Sequence, residues 1–347
     1  YLRTQKVKDR ALDVIDDFAW QNDPRAIPTV SPEDDPLAKT QPAFPLVSRK
    51  ATQDHIAMLP EASIFELLPG LRLVSLERSR EAAQFRGAPF KTGSYAIVVG
   101  PSRSILGRPL LLSAPQMGFT NPSIVHEMTI EAPGLKVGGM DVPGIPGVLI
   151  GQTDRIAWGL TSGVADTDDI FFTAMDGERS YKWGDKTYEL TSISRLMRVK
   201  GAPDQTVTQL RTHHGPVVVT SASGKAYFSR RSSYFGQELK AFDAMAELYS
   251  AARPADIRKL ASQIPLTFNL FYATAEGDIG YQYCGKVPLR APGADPRFPT
   301  PGKPEFDWRG FVPPDQMPYV VNPKSGLIAN WNNKPVAWWP NFDTPVW

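Results

Sequence analysis

Short apolar runs separated by turn residues follow one another from residue 94 to about residue 230, and they constrain the fold more than any other feature. Runs of this length suit β-strands and are too short for stable helices. The chain's 27 glycines and 33 prolines supply turns between them. The runs that predict strands are 95–99, 110–112, 125–130, 148–150, 170–173, 217–220 and 226–229.

Helical spacing of apolar residues occurs in three other places. It predicts helices at 241–252 and 254–263, after the strand-rich region. It also predicts an amphipathic helix at 1–22, which ends before Pro24 because proline cannot continue a helix. A sheet-rich core with a few helices predicts the α+β or layered α/β class and argues against an all-β protein.

Composition excludes several kinds of partner. The 347 residues include 38 Lys+Arg and 36 Asp+Glu, for a formal net charge of +2. This balance is not that of a nucleic-acid-binding or polybasic membrane-binding surface, so we expect neither partner. No apolar run approaches the roughly 18 residues of a membrane-spanning helix. Cys284 is the single cysteine, which excludes an internal disulfide; we expect a buried thiol.

Ser94 follows Gly93 at the start of the first predicted strand, and it is the candidate nucleophile. Cleavage of the bond between them would leave a serine with a hydroxyl and a free α-amine, so that one residue supplies nucleophile and base. A free α-amine has a pKa of about 7.7–8.0 and can carry a proton at neutral pH without a histidine. A Gly-Ser pair alone is more typical of a plain turn.

A series of short motifs decides between these readings by its order and spacing. The motifs are WQNDP at 20–24, GS at 93–94, APQMG at 114–118, AWGLTSG at 157–163, DTDDIF at 166–171, THHGP at 212–216, ADPR at 294–297 and IANWNN at 328–333. Together they resemble the penicillin acylase family of N-terminal-nucleophile amidohydrolases over nearly the whole chain. The resemblance implies a four-layer αββα sandwich and a periplasmic or secreted location. It also implies hydrolysis of the side-chain amide of penicillins or related acylated amines, through an acyl-enzyme on an N-terminal serine formed by autoproteolysis.

The resemblance also implies the other catalytic groups. It places the oxyanion donors at the main-chain amide of Ser162 and the side chain of Asn332. The main chain of Gln116 would help to hold the scissile amide and the free amine. From the residues alone, Asn332 and Gln116 could equally be turn residues. The pair His213-His214 is expected to be structural, because the chemistry already has its base.

Three aspartates within four residues predict a metal site. Asp166, Asp168 and Asp169 offer hard oxygen ligands, which suit Ca²⁺ better than zinc, although an acidic surface turn is the usual alternative. The resemblance implies a structural calcium ion held by the carboxylates of Asp166, Asp169 and Asp343 and by main-chain oxygens of Asp168 and Pro296. A further glutamate ligand of the family would lie upstream of this chain.

The predicted acyl pocket departs from the phenylacetyl-binding members of the family. Those members carry aromatic residues at the positions of Met117, Ile150 and Val164, and a serine at that of Leu160. Aliphatic walls lose ring stacking worth roughly 0.5–1.5 kcal/mol per pair, and they favour flexible acyl chains or a differently shaped aryl group. We expect medium-chain aliphatic acyl amides to be better substrates than phenylacetyl amides. An aliphatic acylase, such as an acyl-homoserine-lactone acylase, and a non-catalytic calcium-stabilised binding domain are the alternatives to a penicillin acylase.

The resemblance divides the chain into three parts. Residues 1–27 correspond to the C-terminal helix of an α-subunit, 28–93 to a removable spacer, and 94–347 to the N-terminal part of the catalytic β-subunit. The α-subunit portion of the same precursor is therefore an expected partner. The intact chain would be an unprocessed and inactive form, because its Ser94 nitrogen is an amide.

Overall fold

The computed structural model describes residues 27–42, 44, 47–59, 93–117, 121–221 and 225–340. The predicted helix at 1–22 and Asp343 lie outside these residues. The α-helices within them are α1 (Arg49–Ala57), α2 (Leu239–Glu247) and α3 (Pro254–Ala261). The strands, in chain order, are β1 (Ser94–Val99), β2 (Leu110–Pro115), β3 (His126–Ala132), β4 (Leu135–Asp141), β5 (Ile150–Gln152), β6 (Ile156–Ser162), β7 (Asp168–Ala174), β8 (Ser180–Trp183), β9 (Lys186–Glu189), β10 (Thr191–Met197), β11 (Gln205–Arg211), β12 (Val217–Thr220), β13 (Ala226–Ser232), β14 (Phe268–Thr274), β15 (Ile279–Cys284), β16 (Thr300–Pro301), β17 (Tyr319–Val321) and β18 (Leu327–Asn330).

Each strand run predicted from the sequence overlaps an observed strand, and the two predicted helices downstream correspond to α2, with a 3₁₀ turn at Leu248–Ser250, and α3. This agreement confirms the mixed class. The single cysteine, Cys284, is buried as expected. None of the helices among the described residues is long and apolar enough to cross a lipid bilayer.

A seven-stranded sheet in the order β17-β15-β14-β6-β5-β4-β3 forms the centre of the fold. Strands β14 and β15 are almost wholly buried, which agrees with their mainly apolar and aromatic sequences. Helices α2 and α3 cover one face of this sheet. Their contact with it forms a core that includes Trp158, Leu248, Ile257 and Leu270, all inaccessible to solvent.

A three-stranded sheet in the order β18-β1-β2 covers the opposite face. In β1, Ala96 and Val98 point inward and pack against Phe271 and Tyr281 in a second core, whereas Ile97 is exposed on the outer face. The layers are thus helix, sheet and sheet. The second helical layer of the predicted αββα sandwich is not formed by the described residues, so that detail stays a prediction.

A four-stranded sheet in the order β12-β13-β7-β16 adjoins these layers, and two-stranded hairpins β8-β9 and β10-β11 extend from it. Strand β7 pairs antiparallel with β13 and parallel with β16. The DTDDIF motif runs into β7, and THHGP forms the turn between β11 and β12. Both motifs therefore lie on this part of the fold.

Part of the predicted spacer packs into the fold of the intact chain. The backbone amide of Val30 donates to the Pro335 carbonyl at 3.0 Å, and Val30 itself is buried. In α1, which Ser48 caps, the buried His55 receives a hydrogen bond from the Asp295 amide at Nδ1, 2.9 Å away. The described portion of the predicted spacer thus contributes to the core of the intact chain.

Candidate active site

The peptide bond between Gly93 and Ser94 is held from both sides. The Ser94 amide donates to Oδ1 of Asn332 at 2.8 Å, and the Gln116 amide donates to the Gly93 carbonyl oxygen at 2.8 Å. The second bond places a donor where negative charge would develop if a nucleophile attacked the Gly93 carbonyl. A β-carbon on Gly93 would lie only 2.6 Å from Oδ1 of Asn332, so this close contact fits glycine.

The side chain of Asn332 is fixed by its surroundings. The residue is 3% exposed and has φ +57°, a left-handed conformation that asparagine tolerates better than most residues. Its backbone amide donates to Oδ1 of Asn330 at 2.8 Å, and its Nδ2 donates to the Ser162 carbonyl at 2.9 Å. Ser94, Gln116, Ser162 and Asn332, the four predicted catalytic positions, thus lie in one site.

A buried polar network lies behind Ser162. Asn269 donates from Nδ2 to the Ser162 carbonyl at 3.0 Å and to Oγ1 of Thr161 at 2.9 Å, and its Oδ1 accepts from the Tyr281 hydroxyl at 2.7 Å. Oγ1 of Thr161 in turn donates to Asn330 at 2.8 Å. Burial raises the pKa of Tyr281 well above its ordinary value, so the hydroxyl stays a donor. The network orients both Ser162 and the loop that carries Asn332.

Sequence reasoning missed Asn269 and Tyr281. A signal existed, because Asn269 is a polar residue within an apolar strand run, and buried amides in such runs are almost always hydrogen-bonded. The identity of its partners could not be read in the same way.

An apolar cavity of about 270 Å³ opens next to Ser94. Of the four predicted acyl-pocket residues, Met117, Ile150 and Leu160 line it, and Val164 is not among its lining residues. Helix α2 and the start of β14 contribute residues that the sequence analysis did not include. The aromatic and long apolar members of that group are Phe242, Met245 and Phe268.

The predicted calcium ligands are engaged with arginines. Both carboxylate oxygens of Asp169 accept from Nε of Arg290, at 3.1 and 2.9 Å, and Oδ2 also accepts from Trp308 Nε1 at 2.6 Å. The carboxylate of Asp166 lies 2.9 Å from the same guanidinium, and that of Asp168 accepts from Arg230 at 2.8 Å. Arg290 thus supplies the positive charge between the Asp166 and Asp169 carboxylates.

This arrangement does not fit a calcium site as it stands. Ca²⁺ needs about six to eight oxygen ligands, and both oxygens of Asp169 are already used by N–H donors. Pro296 lies within the loop 294–297, where Asp295 binds Arg297 at 2.7 Å, and Asp343 lies outside the described residues. Calcium binding therefore stays a prediction.

The chain is similar to several known proteins. The model of the penicillin amidase family matches residues 14–344. Penicillin G acylase of Escherichia coli is 31% identical over 258 residues, which cover 74% of this chain and 30% of that protein. Penicillin acylase 2 proenzyme of Pseudomonas sp. strain SE83 is 28% identical, with coverages of 80% and 36%. Acyl-homoserine lactone acylase QuiP of Pseudomonas fluorescens strain Pf0-1 is 28% identical, with coverages of 77% and 33%.

The fold has a counterpart among solved structures. Thermostable penicillin G acylase from Alcaligenes faecalis aligns with a TM-score of 0.70 at 29% identity, covering 73% of this chain and 46% of that chain. This chain spans about a third of the length of the curated relatives named above. Since the family match extends over nearly all of its residues, the chain belongs to the penicillin amidase family.

Proposed function

We propose that this chain carries the nucleophile of an acylase, an amidohydrolase that cleaves the amide bond of small acylated amines through an acyl-enzyme on Ser94. One observation carries the proposal: the Gly93–Ser94 peptide is held by Asn332 and Gln116 at the mouth of an apolar cavity. A hydrolase needs a nucleophile, oxyanion donors and a place for the acyl group, and these lie together here.

Maturation would begin at the peptide bond itself. The Ser94 hydroxyl attacks the Gly93 carbonyl carbon, the Gln116 amide stabilises the oxyanion, and the C–N bond breaks as the hydroxyl proton passes to the Ser94 nitrogen. Water then hydrolyses the resulting ester. The products are a carboxylate on Gly93 and a free α-amine on Ser94, which can now act as a base.

Turnover would use the same serine. The neutral α-amine accepts the hydroxyl proton as the oxygen attacks the substrate carbonyl, and it later gives that proton to the leaving amine. Oδ1 of Asn332 already binds the Ser94 nitrogen and would keep the amine in place. Nδ2 of Asn332 and the Ser162 amide would stabilise the oxyanion, a contribution of about 3–4 kcal/mol for each donor. Water completes the reaction by hydrolysing the acyl-enzyme.

The cavity favours an apolar acyl group. Its volume of about 270 Å³ lies slightly below the usual range for drug-sized ligands, and Met117, Ile150 and Leu160 make part of its wall flexible and non-aromatic. We infer that medium-chain aliphatic acyl amides are better substrates than phenylacetyl amides. The names of the relatives include both penicillin acylases and acyl-homoserine lactone acylases, so the amine is left open. Phe242 and Phe268 on the wall favour the rival phenylacetyl group.

A panel of chromogenic anilides tests the acyl preference. Hexanoyl, octanoyl and phenylacetyl anilides would be compared by kcat/KM, with Leu160→Phe as a variant that narrows the cavity. We expect the aliphatic anilides to be preferred and Leu160→Phe to reduce kcat/KM most for the longest chain. A preference of about tenfold or more for phenylacetyl, which is about 1.4 kcal/mol in transition-state binding, would contradict the inference.

We also propose a periplasmic or secreted location for this protein. We further propose that the α-subunit portion of the same precursor is its partner. They are supported by the family membership and by the word proenzyme in the name of one relative.

A further inference from the structure

His213, His214 and Asp307 converge outside the Ser94 site. The two histidines form part of the turn between β11 and β12, and Asp307 follows the 3₁₀ turn Pro304–Phe306. Each residue offers a potential metal ligand, and these atoms lie within 4.8 Å of one another. Among the described residues this is the one group of three such side chains gathered so closely.

The imidazole ring of His214 has no hydrogen-bond partner among the described residues. Its side chain is buried, with the residue 4% exposed, and neither ring nitrogen is bonded to any of the described residues. The ring stacks on Phe171 with centroids 3.9 Å apart, and it lies against the His213 ring with centroids 3.8 Å apart and the two planes tilted by 41°. Unpartnered buried polar groups are rare in folded proteins.

The side chains of His213 and Asp307 are also held by polar contacts. The Tyr181 hydroxyl lies 3.0 Å from Nδ1 of His213; when Nδ1 donates to it, Nε2 presents its lone pair. An outer partner of this kind is typical of metal-bound histidines. The Arg231 guanidinium and the Trp308 amide both bind Oδ1 of Asp307, so Oδ2 remains for a metal.

We propose that His213, His214 and Asp307 form a binding site for a divalent transition-metal cation. Two imidazole nitrogens and a carboxylate oxygen suit Zn²⁺, Co²⁺, Ni²⁺ or Cu²⁺ and are a poor set for Ca²⁺ or Mg²⁺. The positive charge of Arg231 opposes the cation, and the carboxylate of Asp307 offsets it. A bound metal would link the β11–β12 turn to the segment before Trp308, which is a structural role and independent of Ser94.

Zinc binding to the purified protein tests this site. Protein freed of metal with a chelator is dialysed against Zn²⁺, and bound zinc is measured by elemental analysis. We expect a single molar equivalent, with at least about tenfold weaker binding in Asp307→Asn and in His213→Gln. His126→Gln is the matched control, because His126 is an exposed histidine beside a different aspartate, Asp141. Its zinc binding should be unchanged.

Two further measurements distinguish loss of the metal site from loss of folding. The melting temperature of the wild type and of His126→Gln should rise with Zn²⁺, and that of the two site variants should not. Cu²⁺ should quench tryptophan fluorescence in the wild type, since the Trp183 ring lies 4.8 Å from that of His213. Zinc binding that is equal in the wild type and in both folded site variants would mean an adventitious ion only, and it would overturn the proposal.

Discussion

Two buried tyrosines on neighbouring strands differ in whether their hydroxyl groups are hydrogen-bonded. Only one of them belongs to the polar network behind Ser162. Tyr281 and Tyr272 are both inaccessible to solvent. The Tyr281 hydroxyl donates to Oδ1 of Asn269 at 2.7 Å, whereas the Tyr272 hydroxyl has no partner among the described residues. Replacement by phenylalanine removes the same atom from each, and the tyrosines therefore serve as controls for one another.

The expected changes in the free energy of unfolding differ in size and sign between the two variants. Tyr281→Phe leaves Oδ1 of Asn269 buried without its donor, which should lower the free energy of unfolding by about 1–3 kcal/mol. Tyr272→Phe removes a hydroxyl that is buried at a cost, so stability should stay the same or rise by up to about 1 kcal/mol. Because Asn269 binds the Ser162 carbonyl, only Tyr281→Phe should slow cleavage at Ser94.

Urea unfolding with linear extrapolation measures the change in stability. The rate at which the cleaved chain appears on gels measures the change in cleavage. Equal losses of stability in the two variants would refute the reasoning, since it assigns the cost to one hydrogen bond. Cleavage at the wild-type rate in Tyr281→Phe would mean that the polar network does not affect the cleavage reaction.

Three other substitutions test individual contacts. Asn332→Gly keeps a backbone that can adopt φ +57° and removes the side-chain amide, so kcat per mole of cleaved chain should fall by about 10²–10³-fold; near-wild-type kcat would exclude Asn332 as an oxyanion donor. Arg290→Met leaves the buried carboxylate of Asp169 without its cation and should cost about 3–5 kcal/mol, seen as a lower melting temperature; an unchanged value would contradict the pairing. Burial raises the pKa of Asp295, but hydrogen bonds, the largest from Arg297, outweigh it and hold that pKa below its ordinary value. The stability that wild type gains over Asp295→Asn should therefore be present above about pH 4 and shrink as the pH falls through the lowered pKa; urea unfolding that shows a constant difference would contradict it.

Strand positions were predictable from the sequence because they depend on local patterns, and the positions of the site residues were not. Asn332 lies 238 residues from Ser94 along the chain, and it reaches Ser94 because β18 pairs with β1. Only the family resemblance, which rests on several motifs, allowed Asn332 to be named in advance. Composition and spacing alone would have left it a turn residue.

The pairing of Asp169 with Arg290 shows the same limit of prediction from local sequence patterns. Its carboxylate was visible in the sequence, but its partner Arg290 lies 121 residues away, and no local pattern joins them. The apolar cavity next to Ser94 also includes Phe242 and Met245, whose helix was predicted although its contact with β6 was not. Contacts between distant segments depend on register and packing, which a single sequence does not specify.

The central claim is that the Gly93–Ser94 bond breaks and that the freed serine then does the chemistry. The most direct measurement is the intact mass and N-terminal sequence of purified protein, followed by an activity assay on the cleaved and uncleaved forms. We predict a chain that begins Ser94-Tyr95-Ala96 and carries all of the activity, and a Ser94→Ala variant that stays uncleaved and inactive. Full turnover by protein in which that bond is intact would contradict the account.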